Sequence, residues 1–124
     1  MNTDKLFQEY FQIVPQALLE LLQITPPCTY RYESPVVKSS ERRMDGFLEP
    51  EVVGCPYYFV EIQGYLDPLI YWRGLHHVTR YHETRSDLDR KNWKLVILFL
   101  DQSYDPGSST LGPLENGAEH WLIS

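Results

Sequence analysis

Apolar positions recur every three to four residues in the first quarter of the chain, and alternate or run together through its middle. Phe7, Tyr10, Phe11 and Val14 predict a first helix capped by Thr3 or Asp4. Leu18, Leu19 and Leu22 predict a second, short helix opening at Pro15, and Pro26-Pro27 ends this helical layer. From Cys28 to Lys38, Tyr30, Tyr32 and Val36-Val37 predict a strand interrupted at Pro35. Beyond the polar Ser39-Ser40-Glu41, a second strand is expected from Arg42 to Glu49 and a third from Tyr57 to Gln63. The third is apolar on both faces, as a strand in the middle of a sheet must be. Asp67-Pro68 has the form of an N-cap followed by proline at the first helical position, opening a helix that runs to about Arg85 or Ser86. Trp93 to Leu100 predicts a last buried strand. Asp105-Pro106-Gly107-Ser108-Ser109 then opens a Gly/Pro/Ser-rich stretch.

The order helix, three strands, helix, strand predicts an α/β fold with a mixed sheet flanked by helices. If the last two strands are parallel, the crossover through the long helix should be right-handed. At 124 residues the chain supports one domain with a sizeable core. The expected division is a core over residues 1–100 and an acidic tail over residues 101–124. Apolar residues make up 43% and aromatics 14%, a globular composition. No run approaches the ~20 apolar residues of a membrane span. The polar opening lacks the basic-then-apolar order of a signal peptide, so a cytoplasmic location is expected. There, Cys28 and Cys55, isolated and without metal-ligand spacing, are expected to be reduced.

The net charge of −6 argues against a protein that coats nucleic acid. Its distribution softens that argument. Residues 31–94 hold ten of the eleven Lys and Arg against ten Asp and Glu, so the acidity comes mostly from the two ends.

The middle strands carry the candidate chemistry. Glu61 and Gln63 share a strand face with Phe59 and Tyr57, while Arg43, Asp45 and Phe47 share a face of the preceding strand. A hairpin centred near Val53 places Asp45 opposite Glu61, Phe47 opposite Phe59 and Arg43 opposite Gln63. Opposed side chains in a sheet have β-carbons about 4.5–5.5 Å apart, and like charges there repel. The pair therefore needs a proton, a cationic neighbour or a shared hard cation such as Mg²⁺ or Mn²⁺. The alternative is a solvated Asp45 near a turn with Glu61 paired to Arg43 or Arg42. A one-residue slip of register would put the acids on opposite faces. Gly46 and Gly64, beside Asp45 and Gln63, are expected to let a backbone or ligand approach closely.

These residues resemble the PD-(D/E)xK nuclease superfamily, with its restriction-endonuclease-like αβββαβ core. Met44-Asp45 stands in the place of its Pro-Asp pair and Glu61-Ile62-Gln63 in that of its acidic-x-Lys motif. The chain is more closely similar to the Rpn family of recombination-promoting nucleases and transposase-related proteins. The similarity rests on Thr3-Asp4-Lys5-Leu6-Phe7, Arg43-Met44-Asp45-Gly46, Phe59-Val60-Glu61-Ile62-Gln63 and Ile70-Tyr71-Trp72-Arg73-Gly74-Leu75. The resemblance spans roughly residues 3–100 and implies a Mg²⁺-dependent (or Mn²⁺-dependent) DNA endonuclease. Asp45, Glu61 and the Ile62 carbonyl would be the metal ligands, and Gln63 would orient water and donate a hydrogen bond in place of lysine. Two features depart from the Rpn pattern: Phe99-Leu100-Asp101-Gln102-Ser103-Tyr104 replaces a Tyr-Pro-Ser-Arg-like turn, and the acidic stretch follows where further helices are the family's norm.

On the long helix, Arg73, His77 and Arg80 fall on one face and are expected either to contact DNA phosphates or to form an ordinary solvated face. Glu9 could approach the metal if the first helix crosses the sheet edge. His76, His77 and His82 lack zinc-ligand spacing. The rival to a nuclease is a catalytically inactive remnant or interaction module of the same fold, forming a homodimer or pairing with a full-length relative. A hydrolase of small phosphorylated molecules is a third reading, without a dedicated phosphate loop to support it.

Overall fold

The computed structural model describes residues 15–33, 36, 37, 42, 43 and 45–124. The expected first helix, with Glu9 in it, lies outside them. Helix α1 spans Pro15–Leu21 and opens at proline as expected. Strands follow at Tyr30–Glu33 (β1), Val36–Val37 (β2), Arg42–Arg43 (β3), Gly46–Pro50 (β4) and Tyr57–Gln63 (β5). Helix α2 covers Ile70–Thr84, β6 Trp93–Phe99 and β7 Leu122–Ile123.

Five strands form one mixed sheet in the order β1-β4-β5-β6-β7. β1 and β5 run antiparallel to β4 on either side of it. The crossover through α2 makes β6 parallel to β5 over all seven residues, and β7 joins β6 in parallel at Leu95 and Val96. α2 buries one face of the sheet, where Phe47, Phe59, Leu95 and Ile97 meet Ile70, Tyr71, Val78 and Tyr81. α1 covers the other, where Leu18 and Leu19 meet Leu48, Tyr58, Val60, Ile62 and Val96. Since both faces are covered, β5 can be apolar on both sides. Gly74 lets α2 lie close to the sheet, because a β-carbon there would stand 2.9 Å from a Leu95 methyl.

Four expectations meet a different structure. The strand drawn from Arg42 to Glu49 is broken: β3 pairs with β2, Arg43 facing Val36 rather than Gln63, and the main-sheet strand begins only at Gly46. α2 starts three residues after Asp67. The Asp67 carboxylate instead accepts from Leu69 N at 2.9 Å and closes the turn leading into the helix. Residues beyond Leu100 pack rather than trail. Three 3₁₀ turns, at Gln102–Tyr104, Ser108–Glu115 and Ala118–His120, lead into β7. Leu111 is fully buried in the α2-side core. The Tyr71 hydroxyl donates to Asp105 Oδ1 at 2.7 Å, and Trp72 Nε1 donates to the Thr110 carbonyl at 2.8 Å. Finally, Cys28 and Cys55 form a disulfide across a Cα–Cα distance of 5.8 Å, tying the segment before β1 to the β4–β5 turn.

A cavity of about 630 Å³ runs along the edge of β6 that β7 leaves uncovered, between Leu21, Leu22, Leu98, Leu100 and Ile123. No helix among the described residues is long and apolar enough to cross a membrane.

Two stability predictions follow from the packing. The disulfide closes a sequence separation of 27 residues. Its loss in Cys28→Ser/Cys55→Ser should lower the unfolding free energy by about 3–4 kcal/mol, read from denaturant melts with and without reductant. His82 is buried beside Phe59 and Trp93, and neither ring nitrogen has a hydrogen-bond partner among the described residues. Burial, helped by Arg90 and opposed by Asp89, pulls its pKa below the usual 6.5. The unfolded chain therefore takes up the proton first, and stability should fall as pH drops below 6.5. His82→Phe should remove that acid-side loss and raise stability at neutral pH by about 1 kcal/mol. An unchanged acid limb in this variant would show that His82 is not its source.

Candidate functional site

β5 carries Glu61 at its centre on the α2 face, and only 5% of the residue is exposed. A carboxylate in that position loses its hydration, so burial pushes the Glu61 carboxyl up to about 8. A hydrogen bond shared with the Asp45 side chain and the positive charge of Arg73 pull partly the other way. Across the face, His77 Nδ1 hydrogen-bonds to Glu61 Oε1. Such a contact requires a proton between carboxylate and imidazole, carried by one or the other.

The expected register holds. Phe47 faces Phe59 and Gly46 faces Val60, and the ladder ends there, one step short of Asp45 and Glu61. Asp45 itself sits in a bend where the chain leaves the sheet. Its Oδ2 accepts from Ile62 N–H at 2.7 Å, the position that a backbone carbonyl would hold in a continued ladder. The Tyr32 hydroxyl donates to the Asp45 carbonyl at 2.9 Å. Together these contacts explain why the second strand breaks: side chains from β1 and from Asp45 replace the backbone pairing. Gly46 serves the same bend. A β-carbon there would lie 2.6 Å from the Tyr32 ring, so the close approach at this glycine is made by a neighbouring tyrosine side chain, where a backbone or a ligand was expected.

Gln63 is also buried, and its amide donates to the Tyr65 carbonyl at 2.5 Å, bracing the loop that leads to α2. Asp67 forms an ion pair with Arg73 one turn into α2. Of the expected phosphate-contacting stripe, Arg73 and Arg80 are partly exposed, Arg80 beside Glu83. His77 is not on that surface. Only 3% of it is exposed, and it faces the sheet with Ile70, Tyr71, Gly74, Val78 and Tyr81. The signal was present in the sequence, because Ile70, Gly74, His77, Val78 and Tyr81 repeat at helical spacing. Arg73, with Leu69, Trp72 and His76, lines an open depression of about 320 Å³ on the neighbouring surface.

Among the described residues no group of three or more His, Cys, Asp or Glu is disposed to hold a metal. The donors present are two carboxylates, together with the Ile62 carbonyl, which a strand directs to the same edge as the N–H bonded to Asp45. Hard divalent cations are commonly held by one or two carboxylates, with water completing the shell. The donor set fits such an ion in type.

Fold and site define a mixed α/β domain in which a five-stranded sheet, covered by helices, carries a buried glutamate close to an aspartate at a strand break. The chain belongs to the family described as "Protein of unknown function (DUF2887)", whose sequence profile matches residues 3–117. No curated protein and no solved structure matches it.

The raised pKa of Glu61 has a measurable consequence. Its folded pKa lies above the unfolded value, so its contribution to stability is complete below pH 4.5 and is lost as pH rises toward about 8. Over that window wild-type stability should decline by up to about 1.4 kcal/mol per pH unit relative to Glu61→Gln, which carries no titrating proton. Parallel pH–stability curves for the two proteins would contradict the assignment.

Proposed function

We propose that the chain is a Mg²⁺-dependent DNA endonuclease domain of the Rpn type, within the PD-(D/E)xK superfamily. The observation that carries this reading is the proximity of two acids where the sheet opens: Asp45, in the bend before β4, bonds Ile62 N–H on β5 and reaches the side chain of Glu61. The order α1, β1, β4, β5, α2, β6 supports it by matching the αβββαβ core of that superfamily.

Asp45, Glu61 and the Ile62 carbonyl would hold Mg²⁺ or Mn²⁺. Bound there, the ion would polarise a phosphoryl oxygen and acidify water for in-line attack on the phosphodiester. Asp45, the more accessible acid, marks the side from which the phosphate arrives. Arg73 lies close enough to lower the Glu61 pKa, and beside the open depression it is the cation best placed to meet a neighbouring phosphate. Gln63 keeps the β5–α2 loop in place through Tyr65, and its amide would need to turn from that carbonyl to orient water.

One observation favours a second reading, an interaction module without catalysis that pairs with itself or with a full-length relative. Gln63 is engaged in the loop and Glu61 is bonded to His77, so both arrive at the site with structural partners.

A nicking assay on supercoiled DNA separates the two. The nuclease reading predicts Mg²⁺-dependent nicking that falls by about 100-fold or more in Asp45→Ala and in Glu61→Ala and stops with excess EDTA. Nicking that persists in EDTA would rule out the metal mechanism. A folded chain that neither nicks DNA nor binds Mg²⁺ would establish the interaction module.

A further inference from the structure

Resting on the metal reading above, we infer that His77 is a positioning residue: it holds the Glu61 carboxylate in the orientation that a divalent cation requires. The two residues come from different elements, α2 and β5, and meet where both are buried. With Oε1 tied to Nδ1, the glutamate can no longer turn about its terminal bond. The other carboxylate oxygen is thereby given one direction, and Asp45 lies within hydrogen-bonding reach of the same group.

The anchor is itself immobile. Gly74, one turn before His77, brings α2 so close to Leu95 that a single methyl group would not fit. Tyr71 and Val78 are each 1% exposed and pack on the same face, so the helix can neither roll nor lift without opening the core. Arg73 precedes His77 by one turn and also acts on Glu61, but its direct partner is Asp67. On α2, the residue hydrogen-bonded to Glu61 is His77. Ligating carboxylates are held by second partners in this way, and removing such a partner typically costs 10–100-fold in metal affinity.

Two other roles make different predictions. A His77 that merely stabilises a buried acid would affect melting but not metal affinity. A His77 that competes with the cation for Oε1 would weaken binding, so its removal would tighten it.

The test is Mn²⁺ binding to the full chain, read by the electron paramagnetic resonance of free Mn²⁺, with thermal melts as the control for folding. Asp45→Ala should abolish binding in either case and so reports on the metal reading alone. His77→Phe, which keeps the ring shape without a donor, should weaken binding about 10–100-fold. His77→Asn places an amide nitrogen near the Nδ1 position and should stay within about 3-fold of wild type, whereas His77→Gln places it farther out and should behave like the phenylalanine. If phenylalanine prevents folding, the Asn and Gln variants decide the matter. Equal or tighter Mn²⁺ binding in the donor-free variant, or equal loss in His77→Asn and His77→Gln, would overturn the positioning role and leave the metal reading intact. A wild-type chain that binds no Mn²⁺ would overturn both.

Discussion

A glutamate placed in the central strand of a sheet covered on both faces sets the terms for its surroundings. Moving a carboxylate from water into a protein interior is costly unless a proton or an opposite charge accompanies it. Glu61 is met from α2 by His77, from the bend before β4 by Asp45, and at longer range by the Asp67–Arg73 pair. The close approach of α2 at Gly74 makes the first of these contacts reachable. The break in the hairpin at Asp45, secured by Tyr32 and by Ile62 N–H, makes the second. Elements that would otherwise serve only packing are arranged around one acid.

An apolar residue of similar size at this position would spare the fold these compensations. Local rules are broken in this manner mostly at functional sites, where the cost is offset elsewhere in the structure. Here the offset lies in the two aromatic and aliphatic cores, which lock β5 from both sides. The site is also asymmetric. Glu61 and Gln63 are enclosed, while Asp45 stands at a bend where the strand departs. That asymmetry gives the acid pair a buried anchor and a more accessible member.

The main sheet was legible in the sequence because its signals are long and redundant. β5 and β6 are continuous apolar runs, α2 has a helical stripe, and the facing phenylalanines at positions 47 and 59 pin the hairpin register. Four features were not legible, each for a physical reason. The strand break at Asp45 depends on side chains from β1 replacing backbone bonds, which no local pattern of residues 42–49 displays. The packing of residues 102–124 depends on isolated anchors such as Leu111 and Asp105, set in a Gly/Pro/Ser-rich composition that reads as loop. His77 was read as surface because histidine tolerates both environments, although its position in the apolar stripe argued otherwise. The Cys28–Cys55 bridge joins residues that are distant in sequence, and spacing alone gave no reason to pair them.

The central claim is that Asp45 and Glu61 together form a cation site. Crystals of the chain soaked in Mn²⁺ and measured at a wavelength where manganese scatters anomalously test it most directly. The account predicts one strong anomalous peak between the two carboxylates, within coordination distance of both, with Glu61 still bonded to His77. Well-ordered density for both carboxylates with no peak between them, at saturating Mn²⁺, would contradict it.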